Sequence, residues 1–265
     1  MSQMLIDSHC HLNYPGLVED QERVLDRARA AGVQAMISIS TRECEWADVV
    51  ATAERNPDVF ATVGIHPHEA DEHPDIDTAR LVDAACNPRV VGIGETGLDY
   101  FYDRSDRARQ GRSFRAHIAA SRETGLPLIV HTRDAEDDTI AILSEEAGKG
   151  AFPMVIHCFT GSARLAAACL ELGACISLSG IVTFKNARAI QDVARTLPAD
   201  RLLVETDSPF LAPVPVRGKV CEPAFVAHTA GFLADLRGES LSDLISRTSD
   251  NTLKLFKRME KFCAS

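Results

Sequence analysis

The chain has 265 residues, 45% of them hydrophobic, and a formal net charge of −10. Length and apolar content support one sizeable core, and no linker or low-complexity stretch divides the chain, so residues 1–265 read as a single domain. The charge excludes a module that coats nucleic acid through a broad basic surface, but leaves room for a localised phosphate site whose positive field comes from bound divalent ions.

The apolar run Met4-Leu5-Ile6 enters a first strand within a few residues of Met1. That leaves no space for a secretory signal, and no apolar stretch approaches the ~20 residues of a membrane span, so a cytoplasmic location is expected. None of the eight cysteines sits in a Cys-x-x-Cys pair, and all read as reduced thiols, with Cys10 and Cys158 turned away from the histidines beside them.

The first strand runs on through Asp7-Ser8-His9-Cys10-His11. Side chains alternate along a strand, so His9 and His11 point the same way. Glu19 to Ala31 has the apolar spacing of a helix, Gln34 to Ser40 that of a buried strand, and Glu43 to Asn56 that of a second helix. Val59 to Ile65 predicts a strand leading into His66-Pro67-His68, followed by a helix over Thr78 to Cys86. Strand four is Val90 to Gly94, ending at Glu95, and a long helix covers Asp106 to Thr124. Pro127 to Val130 forms strand five, ending at His131, with a helix over Glu136 to Ala147. Met154 to Ile156 ends at His157, Ala174 to Leu178 is strand seven, and Leu202 to Glu205 leads to Asp207; a helix over Ser240 to Lys261 closes the chain.

Continuous apolar strands alternating with helices indicate a parallel sheet covered on its outside, and eight such units fit a closed (β/α)8 TIM barrel. A doubly wound sheet would carry a Gly-rich turn after strand one, where this chain has His9 and His11. The barrel gathers His9, His11, Glu95, His131, His157 and Asp207 at the C-terminal strand ends as a divalent-metal site. Six ligands are too many for one ion with an open position and suit two ions sharing a carboxylate, either Glu95 or Asp207.

Six stretches, Asp7-Ser-His-Cys-His11, Val63-Gly-Ile-His-Pro-His68, Gly92-Ile-Gly-Glu-Thr-Gly-Leu-Asp99, Pro127-Leu-Ile-Val-His-Thr-Arg133, His157-Cys-Phe-Thr-Gly161 and Glu205-Thr-Asp-Ser-Pro209, span nearly the whole chain. Together they resemble the TatD family of metal-dependent hydrolases within the amidohydrolase-like barrels. The resemblance implies a deoxyribonuclease that degrades DNA by hydrolysing phosphodiester bonds. It places one ion on His9, His11, Glu95 and Asp207 and the other on Glu95, His131 and His157, which makes Glu95 the bridge. It also puts His66 in the active site, to bind the scissile phosphate or protonate the leaving oxygen. Asp207 is placed to accept the proton of the attacking water, with Glu205 two residues earlier on the same side to orient it.

Four residues are candidate substrate contacts: Tyr100 and Arg104 beside the site, Lys185 after strand seven, and Arg217 after strand eight. The family pattern usually continues Arg-Asn-Glu-Pro where this chain has Val220-Cys221-Glu222-Pro223. His73, His117 and His228 lie off the strand ends and read as structural or surface residues. Four histidine ligands favour zinc or manganese, whereas phosphodiester chemistry often runs on magnesium. The expected substrate is DNA, single-stranded and attacked from its ends, and the expected state a monomer. One alternative is an amidohydrolase acting on a C–N, ester or lactone bond, but its frequent carbamylated lysine has no counterpart near Glu95. The other is a non-catalytic adaptor, against which all six ligands are present.

Overall fold

The structure is a computed structural model that describes residues 4–263. Its eight strands are β1 (Leu5–Cys10), β2 (Val33–Ser38), β3 (Val59–Val63), β4 (Val90–Asp99), β5 (Leu128–Arg133), β6 (Met154–Ile156), β7 (Cys175–Leu178) and β8 (Leu202–Val204). Each pairs in parallel with the next in sequence order. The ring nearly closes where Cys10 bridges Ser208: His11 N–H donates to Ser208 O at 2.7 Å and Asp207 N–H to His9 O at 2.9 Å. The expected (β/α)8 barrel is therefore the observed fold.

The crossovers are α1 (Gln21–Ala30), α2 (Trp46–Arg55), α3 (Thr78–Ala84), α4 (Arg107–Thr124), α5 (Glu136–Ala147), α6 (Ala163–Glu171), α7 (Arg188–Thr196) and α8 (Val226–Arg237), with α9 (Leu241–Leu255) after them. Side chains set several of their starts: Asp106, Ser162 and Ser240 accept the N–H three residues on, as N-caps do. No described helix is long and apolar enough to cross a membrane.

Strand alternation sorts the core into two layers. Leu128, Val130, Ile156, Leu202 and Val204 pack outward under the helices. Ile6, Ile37, Phe60, Val91, Ile129, Val155 and Leu203 fill the barrel interior.

Two elements differ from the sequence reading. The last helix stops at Leu255 instead of reaching Lys261, because Phe256 leaves helical geometry and is fully buried with Met259 in the interior cluster. Burying such a side chain is worth about 2–3 kcal/mol, more than continuing an exposed helix would return. Phe256 lies beside Gly92 near the start of β4, so this segment forms the barrel floor opposite the ligand-bearing end. Strand β4 in turn runs five residues past Gly94, pairing Thr96 to Asp99 with Val130 to Arg133 of β5. Gly97 permits this: its φ is 136°, and a Cβ there would lie 2.0 Å from His131 O.

Candidate metal centre

His9 stands on β1 and His11 just past it, Glu95 on β4, His131 on β5, His157 one residue beyond β6, and Asp207 in the turn after β8. Asp207 has a left-handed φ of 58°, a conformation that an ordinary side chain holds only when its surroundings fix it. The anchor is Asp7, fully buried, which accepts Thr206 N–H at 2.9 Å and Thr206 Oγ1–H at 2.6 Å and so ties β1 to that turn. Burial pushes the Asp7 carboxyl up to about 8 despite these bonds.

The donor atoms fall into two sets that meet at Glu95. His9 Nε2 and His11 Nε2 are 3.3 Å apart; Glu95 Oε2 is 3.4 Å from the first, and Asp207 Oδ1 is 3.4 Å from the second. On the other side, Glu95 Oε1 lies 2.8 Å from His157 Nε2 and 3.1 Å from His131 Nδ1, with 3.4 Å between those two nitrogens. Ligands held at about 2.0–2.2 Å around one ion sit roughly 3.0–3.5 Å from each other, and the donor spacings here, from 2.8 Å between Glu95 and His157 to 3.8 Å between His11 and Glu95, bracket that range. The donors are also chemically right: facing imidazole lone pairs repel one another unless a cation or proton lies between them. The residues present therefore fit divalent metal.

Without metal, protons take that role. Burial alone would lift the Glu95 carboxyl, but His157, His66 and His131 hold it well below the usual range. Asp207 is likewise kept low against burial by His11 and His9. Burial acts downward on His157, His131 and His11, yet the carboxylates raise all three: Glu95 with Glu205 for the first, Asp99 with Glu95 for the second, Asp207 with Glu95 for the third. Metal entering the site must displace these protons.

His66 lies close by, its Nε2 3.4 Å from Glu95 Oε1. Its Nδ1 accepts His68 N–H at 3.1 Å, which leaves the ring proton on Nε2 facing the site. Burial pushes its pKa down to about 4, so the ring is neutral at neutral pH. His117, by contrast, is structural, as expected: it accepts Ile65 N–H and donates to Ser113 O.

A residue that the sequence reading passed over is Asp99. Its Oδ2 is 3.0 Å from both His131 Nε2 and His68 Nε2, and its Oδ1 accepts Phe101 N–H and Tyr102 N–H at 3.0 Å. Glu95 and Asp99 are four apart and face one side of β4, but only once that strand is seen to continue past Gly94, which the sequence does not reveal. The His131 and His68 bonds outweigh burial and keep Asp99 ionised.

Glu205 is not beside Asp207. The left-handed turn breaks strand alternation, and Glu205 Oε1 instead accepts Cys158 N–H at 2.6 Å and lies 3.4 Å from His157 Nδ1. The Glu205 carboxylate thus lies against the His157 ring.

A cavity of about 850 Å³ opens above the donors. Arg104 lines it, together with Arg42, Arg133, Tyr14, Phe101, Tyr102 and Phe210. Three proposed substrate contacts lie outside its lining. Tyr100 turns away and donates its hydroxyl to Asp138 at 2.7 Å, because the Asp99 backbone is pinned by Gln110 and the loop reverses there. Arg217 stacks on Phe184, 4.3 Å from the ring centre, and Lys185 next to that ring is exposed. Cys158 departs from expectation too: its left-handed φ of 41° brings it to the cavity wall, with Sγ 3.1 Å from Ser179 Oγ. All seven cysteines described are free thiols.

Residues 6–257 match the family described as TatD related DNase. The chain belongs to the TatD family. It is 43% identical over 255 residues, 95% of each chain, to a protein of Escherichia coli K12 named uncharacterized metal-dependent hydrolase YcfH. It is 34% identical over 258 residues, 95% of this chain and 99% of the relative, to a protein of Erwinia tasmaniensis named 3'-5' ssDNA/RNA exonuclease TatD. The crystal structure of YJJV, a TatD homolog from Escherichia coli K12, matches with a TM-score of 0.90 at 31% identity over 97% of this chain and 99% of that one. The protein is thus a metal-dependent hydrolase of the TatD family.

Proposed function

We propose that the protein is a deoxyribonuclease that hydrolyses phosphodiester bonds of DNA with two divalent ions, preferring single strands and starting from their ends. Working as a cytoplasmic monomer is part of the same reading. The observation that carries it is the division of Glu95, one carboxylate oxygen facing each donor set. The name of the Erwinia relative supports nucleic acid as the substrate class.

Divalent ions in the two sets would be magnesium, manganese or zinc; when bound they supply the Lewis acidity that activates water and the positive charge that offsets the phosphate. The protein's own groups do the rest. Asp207, kept ionised, accepts the proton of the attacking water. The neutral His66 ring, with its proton on Nε2, donates a hydrogen bond to a phosphate or leaving oxygen; its low pKa suits that better than full proton transfer. Glu205 and Asp99 fix the two histidines that meet at Glu95 Oε1, and Arg104 reaches the phosphates from the cavity rim.

The test is metal-stripped protein and Glu95→Ala incubated with a labelled single-stranded oligonucleotide under magnesium, manganese and zinc. Cleavage by the wild type alone, and only with metal, is expected. No cleavage under any metal by a wild type that binds two ions would remove the phosphodiester assignment. Rapid cutting of a closed single-stranded circle would remove the preference for ends.

A further inference from the structure

One wall of the cavity carries groups that hold no metal. His131 and Arg133 are two apart on β5 and share a face, so the Arg133 guanidinium stands over the cavity one step beyond the His131 ring. Its guanidinium carbon lies over two aromatic rings, 4.0 Å from the Phe101 centre and 4.8 Å from that of Tyr102. Those rings are perpendicular, 4.8 Å apart, and 53% and 48% exposed within the cavity lining. Among the described residues no carboxylate comes within ion-pair distance of Arg133.

The wall is fixed to the metal centre by one residue. Asp99 holds the His131 ring through Oδ2 and the backbone of both aromatic residues through Oδ1. A group stacked on these rings is therefore held in register with the donor set at Glu95 Oε1. Paired, half-exposed aromatic rings beside a guanidinium without a carboxylate suit a flat, unpaired base next to a phosphate. A base inside a duplex has both faces covered by its neighbours and cannot use them.

We propose that Phe101, Tyr102 and Arg133 form a nucleotide subsite in which an unpaired base stacks on the rings and Arg133 binds its phosphate, making this wall the source of single-strand preference. The proposal rests on the nuclease reading. It concerns which nucleotide the site prefers, not whether the bond is cut.

The test compares kcat/KM on an intact single-stranded oligonucleotide with that on oligonucleotides made abasic at each terminal position in turn. The proteins are the wild type, Phe101→Ala, Tyr102→Ala and Phe101→Trp, the last retaining a stacking face and guarding against loss of fold. In the wild type, removing the base at one position should lower kcat/KM about 10-fold or more, mostly through KM. The alanine variants should lose most of that discrimination and Phe101→Trp should keep it. Arg133→Ala should raise KM on intact and abasic substrates alike, with Arg133→Lys recovering part. An equal penalty for base removal in the wild type and both alanine variants overturns the subsite while leaving the nuclease intact. A wild type that cuts every oligonucleotide regardless of its bases does the same. A wild type that cuts none under any metal overturns both.

Discussion

Asp99 and Glu205 each press on a histidine that meets Glu95, and this makes the site sensitive to groups that touch no ion. Partners of this kind typically change metal affinity by about 10–100-fold. Asp99→Asn should therefore weaken binding at the His131 and His157 set by that factor, leaving the His9 and His11 set nearly intact. Calorimetric titration of metal-stripped protein should then show two unequal affinities; two unchanged affinities would mean that the 3.0 Å contact to His131 does not orient it. At the same scale, the raised pKa values of His131 and His157 set a sign for pH. Protons compete with metal for these nitrogens, so affinity should fall as pH drops through their raised range, and each bound ion should release protons measurable by titration in buffers of different ionisation enthalpy.

The elements that hold the site are tested by changes away from it. Gly97→Ala should force β4 off β5 at His131, and we expect a loss on the order of 2–4 kcal/mol with loss of metal from that side, read by urea unfolding and metal analysis. His117 ties α4 to Ile65, beside His66, and burial lowers its pKa from 6.5 to about 4. A depressed pKa contributes stability that is full above the unfolded value of 6.5 and is lost as pH falls through the folded value of about 4. The shift corresponds to about 3 kcal/mol, and His66 adds to the loss with the same sign. His117→Phe should cost about 1–3 kcal/mol at pH 7 by orphaning the Ile65 N–H, yet lose less on acidification than the wild type. A parallel acid profile in both proteins would show that His117 is not the titrating tether. The β/α rhythm and the strand-end ligands were legible because apolar runs stop where polar ligands begin, as at Ile156 and His157. The end of β4 was not, because Gly94 and Gly97 look like breakers in sequence while close backbone packing requires them. Tyr100 was misplaced for a related reason: whether a ring faces the cavity is decided by the turn at Asp99, which rests on Gln110 eleven residues away.

Taken whole, the molecule carries its net charge of −10 around a centre built for cations. Metal at 1,000 times its Kd stabilises a folded chain by about 4 kcal/mol per site, and at this size each kcal/mol moves Tm by about 2–4 °C. Chelation should thus lower Tm by roughly 10 °C or more, seen by calorimetry, and readdition should restore it; an unmoved Tm would mean that the donor sets are not occupied in solution. Binding of a single strand should depend only modestly on salt, since a negatively charged body engages few phosphates and each contributes a slope of about −0.7.

The roof of this barrel is drawn from most of the chain, whereas part of its floor comes from one C-terminal segment. The donor sets run from His9 to Asp207, and the interior below them is filled by Phe256 and Met259. A chain that lacks Phe256 and Met259 keeps every donor residue and loses the packing beneath them. Removing the segment from Phe256 onward should therefore lower stability while leaving every donor residue in the chain, read as a lower urea midpoint with the donors unchanged in number.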